Sequence, residues 1–254
     1  MIENPFSLQD KVIIVTGAGS GIGQQCAIDC SHFGAHVILV GRNLENLNRT
    51  REMLDGSSHA IYQLDLTNLN QIENLIKRIV LENGKIDGLI NCAGISGTEP
   101  VKLISDERLQ QYFETNVYSA FVLTRELAKI GRYNSNGCSI IFIASVMGVV
   151  GESMKTAYSM TKGALISGCK SMAIEYAKRK IRFNCISPGV ILTPINSKQP
   201  YMKDPEMRRL VESKHLLGLG KTSDISNACI YLLSSASRWI TGQNIIIDGG
   251  YSIQ

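Results

Sequence analysis

The octapeptide AYSMTKGA, residues 157–164, sets Tyr158 four positions before Lys162. On a helix that spacing puts both side chains on one face, one turn apart. Two readings are open for such a pair: an ordinary surface contact, or a phenol held beside an ammonium so that it can move a proton. A free tyrosine, with a pKa of about 10, exchanges protons poorly at neutral pH. A nearby cation favours the phenolate and brings that pKa toward the working range. Ser145 closes the apolar run SIIFIAS. A strand-end hydroxyl of this kind can polarise a carbonyl oxygen or satisfy local backbone. Asn116, in ETNVYSAF, falls inside a helical stretch where asparagine has only modest propensity, and it also reads as a tolerated polar residue.

A second group of residues is suited to phosphate. TGAGSGIG places Gly17, Gly19, Gly21 and Gly23 around Ser20 and Ile22, between an apolar run and a helical one. Glycines let the chain turn tightly and bring backbone amides near an anion, and the new helix aims its positive end at the same place. Counted from Gly17 the spacing is G-x-x-x-G-x-G rather than the common G-x-G-x-x-G. The next apolar run ends VILVGRN, so Gly41 stands where an acidic residue would bind a ribose 2′-hydroxyl, and Arg42 and Asn43 follow. A guanidinium without a carboxylate favours a 2′-phosphate, hence NADP(H), with NAD(H) as the alternative. The plainer reading of Arg42 is an arginine that opens a surface helix.

These residues need a frame, and the patterning supplies one. KVIIVTG, HVILVG, HAIYQLDL, DGLINCAG, SIIFIAS, IRFNCIS and QNIIIDGG read as seven strands. Helical patterns separate them, among them one over 71–82, a long one over 106–130 and one over 153–177 that carries Tyr158 and Lys162. Residues 194–215, with several prolines, read as a loop suited to a mobile lid, and after the prolines come two shorter helices, the second being SDISNACIYLLSS. Strands apolar on both faces and alternating with helices imply an α/β fold with a doubly wound parallel sheet covered on each side. No linker or repeat breaks the alternation, so 1–254 reads as a single domain. In such sheets ligands bind beyond the carboxyl ends of the strands, where all the residues above fall.

As an ordered set, TGAGSGIG, NCAG (Asn91, Cys92, Ala93, Gly94), Asn116, Ser145, Tyr158 with Lys162, PGVILT and ITGQNIIIDGG resemble the short-chain dehydrogenase/reductase family. The resemblance covers nearly the whole chain and implies a Rossmann fold and ketone–alcohol interconversion with a nicotinamide cofactor. It implies Tyr158 as acid/base, Lys162 as its pKa shifter and ribose ligand, Ser145 as carbonyl anchor, and Asn116 as support for a proton-relay water. It further places Asp65 and Leu66 at an adenine pocket, and Asn91, Ala93, Gly94, Pro188, Gly189, Ile191 and Thr193 against the cofactor. Two departures stand out: Cys92 replaces a second asparagine, and Ser20 takes a position that is often basic in NADP-preferring members.

Ser96, Met147, Glu152, Pro194 and Ile195 flank the quartet and are expected on the substrate side. The C-terminal third resembles 3-oxoacyl-[acyl-carrier-protein] reductases, which makes a 3-oxoacyl thioester the leading substrate expectation. Arg132 and Arg179 would then offer a basic surface to an acidic carrier protein, although both also read as ordinary solvated arginines. Against it, those reductases usually carry Gly-Gln where this chain has Met154 and Lys155. Sugar, polyol, steroid or other small-ketone reduction stays open, as does a non-catalytic NADP-binding sensor. The resemblance implies a homotetramer.

Composition excludes several other classes. The formal charge of +4 on 254 residues falls short of a nucleic-acid footprint, and EYAKRKIRF is only a short junction. No apolar run approaches the roughly 20 residues of a membrane span, and MIENPFSLQDK lacks the pattern of a signal peptide. Seven scattered cysteines argue against a disulfide framework, so a cytoplasmic location is expected. Cys26, Cys30, His32 and His36 lie close in sequence, but they divide between a helix and the next strand, and no metal is assigned.

Overall fold

Seven β-branched runs pair side by side because neither face of any central strand is polar enough to meet water. The computed structural model describes residues 4–197 and 200–254, with the backbone alone at 200 and 201. The expectation about the first residues therefore rests partly on positions 1–3, and the lid expectation partly on Lys198 and Gln199, which lie outside the described residues. The strands are β1 (Val12–Thr16), β2 (His36–Gly41), β3 (Ala60–Gln63), β4 (Gly88–Asn91), β5 (Cys138–Ile143), β6 (Ile181–Pro188) and β7 (Asn244–Ile247). They form one parallel sheet in the order β3-β2-β1-β4-β5-β6-β7. The chain starts in the middle, winds outward to β3, then returns to lay β4 on the other side of β1. That reversal opens a crevice at the carboxyl ends of β1 and β4.

Helices cover both faces. On one side lie α3 (Leu69–Asn83), α5 (Ser119–Leu127) and α6 (Thr156–Tyr176), whose Ile76, Leu123 and Leu165 share a core with Ile14, Ile38 and Phe142. On the other lie α1 (Gly21–His32), α2 (Leu44–Glu52) and α10 (Thr222–Leu233), whose Cys26, Leu47 and Cys229 meet Ile13, Val15 and Ile141. Neighbours Ile13, Ile14 and Val15 thus serve opposite cores, as the period of two in a strand requires. Among the described residues no helix is long and apolar enough to cross a membrane.

Two elements differ from the sequence expectation. The long helix over 106–130 is interrupted: α4 (Asp106–Phe113) passes through a π turn, Glu114–Tyr118, before α5 begins. Residues 194–215 hold three short helices, α7 (Pro194–Ser197), α8 (Pro200–Lys203) and α9 (Pro205–Ser213), rather than a plain loop. Asp204 caps α9 by accepting from the amides of Glu206 and Met207, with Pro205 in the first turn. The Cys/His cluster does not converge: Cys26 faces Cys229 at 3.7 Å, while His36 Nε2 lies 3.0 Å from Asn83 Oδ1.

Candidate active site

At the head of the crevice, Thr16 ends β1 with a buried hydroxyl that accepts from the amides of Cys92 (3.0 Å) and Ala93 (3.1 Å). The same hydroxyl donates to Ile90 O at 3.3 Å, so one side chain pins β1 to the end of β4. Gly17 follows at φ +65°, and a Cβ there would stand 3.1 Å from Ala93 N. A Cβ on Gly23 would fall 2.4 Å from Gly17 O, so the first turn of α1 lies directly on the glycine turn. Ser20 precedes α1 without a side-chain cap bond, and Gly21 and Ile22 line the cleft. This cradle of close backbone and a helix N-terminus fits the phosphates of a dinucleotide.

Beyond β2, the Arg42 guanidinium is 69% exposed and lies 3.7 Å from Asp65 Oδ2. Burial opposes the Asp65 carboxylate, but hydrogen bonds from the Thr67 amide and hydroxyl, with Arg42, outweigh it and hold the group below its usual range. Asn43 spends its side chain capping α2, accepting from Asn46 N at 2.8 Å. Gly19, Asp65, Leu66, Ala93, Gly94, Pro188, Gly189, Ile191 and Thr193 all line the same cleft, whose volume is about 690 Å³. Asn91 does not: it is buried at the end of β4, with Nδ2 3.3 Å from Thr124 Oγ1 and Oδ1 unpartnered. Asn91 thus lies beneath the cleft floor, at the base of the segment that carries Ala93 and Gly94 into it.

Ser145 emerges from β5, and α6 carries Tyr158 and Lys162 across from it. Ser145 and Tyr158 both line the cleft, and Ser145 Oγ accepts from Met147 N at 3.2 Å. Lys162 Nζ donates to Ile143 O at 2.8 Å and stands 5.6 Å from the centre of the Tyr158 ring. Asn116 lies behind this group, in the π turn. Its Nδ2 donates to Ile95 O (3.0 Å) and Thr161 Oγ1 (3.1 Å), while Oδ1 accepts from Ile95 N (2.8 Å). Thr161 in turn donates to Tyr158 O at 2.7 Å, so Asn116 joins the segment after β4 to the turn that presents the phenol.

The electrostatics depart from the sequence expectation. Burial pushes the Tyr158 phenol up to about 12, against the downward pull of the nearby Ser145 hydroxyl. Burial also brings Lys162 down to about 8. Desolvation therefore dominates over attraction between the two groups, and it favours the neutral form of each.

Ser96, Met147, Glu152, Pro194 and Ile195 line the cleft as expected. Sequence reasoning missed Lys155, Lys214, His215 and Tyr251, which line it too. Lys155 is buried, with Nζ donating to Gly97 O (3.1 Å) and Thr98 Oγ1 (2.7 Å). Burial and the neighbouring Glu152 carboxylate hold the Tyr251 phenol above its usual range. The position of Lys155 three residues before Tyr158 was a usable signal; nothing in local pattern marks His215 or Tyr251. Arg132 is corrected as an open basic patch, since its side chain is 12% exposed and bound to Glu126 at 2.8 Å. Arg179 lies over the Tyr176 ring at 5.4 Å.

A family model described as enoyl-(acyl carrier protein) reductase matches residues 17–252. The 3-oxoacyl-[acyl-carrier-protein] reductase FabG of Thermotoga maritima is 33% identical over 250 residues, covering 97% of this chain and 99% of that protein. The chain belongs to the short-chain dehydrogenase/reductase family. Membership makes it an NAD(P)-dependent oxidoreductase acting on CH–OH groups. Other short-chain dehydrogenases are about as similar. A cyclopentanol dehydrogenase of Comamonas testosteroni is 32% identical over 249 residues, covering 96% of this chain and 98% of that one. The solved structure of 4-hydroxyisoleucine dehydrogenase complexed with NADH is 36% identical, with a TM-score of 0.88, covering 96% of this chain and all of that chain.

Proposed function

We propose that this short-chain dehydrogenase/reductase interconverts a small polar ketone and its secondary alcohol, with Tyr158 as the acid/base. The observation that carries the reading is the convergence of Ser145, Tyr158 and Lys162 on one cleft, with Lys162 Nζ 5.6 Å from the centre of the phenol ring. Bound nicotinamide supplies or accepts the hydride. In the reducing direction Tyr158 gives its proton to the developing alkoxide, and Ser145 donates a hydrogen bond to the same oxygen. Lys162 stabilises the phenolate left behind and binds the cofactor ribose; Asn116 holds the segment that supports proton return.

NADP(H) is the preferred cofactor in this reading, because Gly41 removes the carboxylate and the exposed Arg42 guanidinium can reach a 2′-phosphate. The charged substrate side, with Glu152, Lys155 and Lys214, supports a compact polar substrate. A 3-oxoacyl thioester is the second reading, favoured by the similarity to FabG, although Arg132 is unavailable to a carrier protein. A cytoplasmic homotetramer accords with the family, and exposed Tyr118, Phe121 and Ile174 supply apolar surface for assembly.

Replacing Tyr158 with phenylalanine tests the central assignment. The variant should bind NADPH as the parent does, measured by nucleotide fluorescence, while turnover on a panel of ketones falls by roughly 10²–10⁴, the usual worth of a general acid. Turnover within a few-fold of the parent would sink the mechanism.

A further inference from the structure

One imidazole outside the quartet connects the two sides of the cleft. His215 follows α9 and is 4% exposed. Its Nδ1 lies 2.8 Å from Val211 O, and its Nε2 lies 3.1 Å from Val190 N. A carbonyl only accepts and an amide only donates, so these two bonds assign the proton to Nδ1 and leave Nε2 as the acceptor. The ring also packs against Tyr251, with 5.0 Å between centroids.

The two bonded groups belong to different parts of the site. Val211 lies within α9, on the segment expected to act as a lid, whereas Val190 sits in the middle of residues 188–193 on the cofactor side. That loop is fixed at other points: Val190 O accepts from Gly220 N at 3.0 Å, and Ile191 O accepts from Asn196 Nδ2 at 2.7 Å. At the Val190 amide, the partner is the His215 ring. A leucine of similar size could fill the space but could not accept that hydrogen bond.

We propose that His215 is a positioning residue for nicotinamide-nucleotide binding. Through Val190 it holds residues 188–193 in the conformation that meets the nucleotide, and through Val211 it makes that conformation depend on the seating of α9. The inference rests on the assignment of this cleft to the dinucleotide.

The test is direct titration of substrate-free protein with NADPH and NADH, for the parent and for His215→Leu, His215→Gln and His215→Asn. Amide hydrogen exchange over 188–193 is followed in parallel. His215→Leu should weaken binding of the preferred nucleotide at least tenfold and speed exchange across the loop. His215→Gln, long enough to place an acceptor near Nε2, should restore both to within threefold of the parent. His215→Asn, too short to reach Val190, should not. A folded His215→Leu that binds within twofold of the parent would overturn the proposal, as would a glutamine variant no better than the asparagine one. If His215→Leu does not fold, the glutamine–asparagine comparison decides alone. A parent that binds neither nucleotide overturns the cleft assignment together with this proposal, whereas a parent that binds and three variants that match it overturn this proposal only.

Discussion

Burial acts on Tyr158 and Lys162 in the same sense, raising the phenol to about 12 and lowering the lysine to about 8. A neutral phenol is ready to give a proton but must lose one before it can accept. Reduction therefore finds Tyr158 in its working form across the neutral range, while oxidation draws on a phenolate fraction that grows tenfold with each pH unit below the pKa. The kcat/KM for alcohol oxidation should climb steeply from pH 6 to 8 and less steeply above it, as Lys162 loses its charge. Reduction should show no such climb. Parallel pH profiles in the two directions check this, and a flat oxidation profile counts against Tyr158 as the base. Arg42 carries a separate expectation: Arg42→Asp should lower kcat/KM with NADPH by at least tenfold, on the order of the 1.5–3 kcal/mol of a charge-assisted hydrogen bond, and shift preference toward NADH. An unchanged ratio of the two would remove Arg42 from cofactor selection.

Thr16 shows how an element boundary becomes part of the site. Its hydroxyl takes two amides from the segment just after β4, so Thr16→Val leaves two partly buried donors without an acceptor. The loss should be about 2 kcal/mol, read by denaturant unfolding, and Thr16→Ser should recover most of it. A valine variant as stable as the parent would mean that the β1–β4 junction is held by packing alone. The same elements show what sequence can and cannot disclose. The strands were legible because fully buried parallel strands leave continuous β-branched runs. α9 was legible as the first of the two shorter helices expected after the prolines, since Asp204 followed by Pro205 is a helix start signal. The π turn was not legible. Nothing in ETNVY distinguishes a bond spanning five residues from one spanning four, and tertiary contacts of Asn116 with Ile95 and Thr161 accompany the choice.

At the scale of the molecule, the cleft draws on residues from Gly17 to Tyr251, almost the full length of the chain. The cofactor side was readable because each of its residues sits in a short motif directly after a strand. The substrate side was readable in part, through Ser96, Met147, Glu152, Pro194 and Ile195, whereas Lys214, His215 and Tyr251 join the cleft only where α9 and the C-terminal segment reach it. Arg132 shows the converse: a charge that looks solvated in sequence is drawn into ion pairs with the buried Glu126 and the exposed Glu73. The π turn between α4 and α5 has a further consequence, one of angular phase. A regular α-helix advances about 100° per residue, and the wider turn takes up one such step without turning one helical face against the other. Deleting one residue from 114–118 would leave an ordinary α turn in its place, so α4 and α5 would keep their phase and Tyr112 would stay inward together with Leu123 and Leu127. What would go is the widened turn that carries Asn116. A single-residue gap at this point in a related chain would thus leave the two helices aligned as here and mark only the loss of that widened turn.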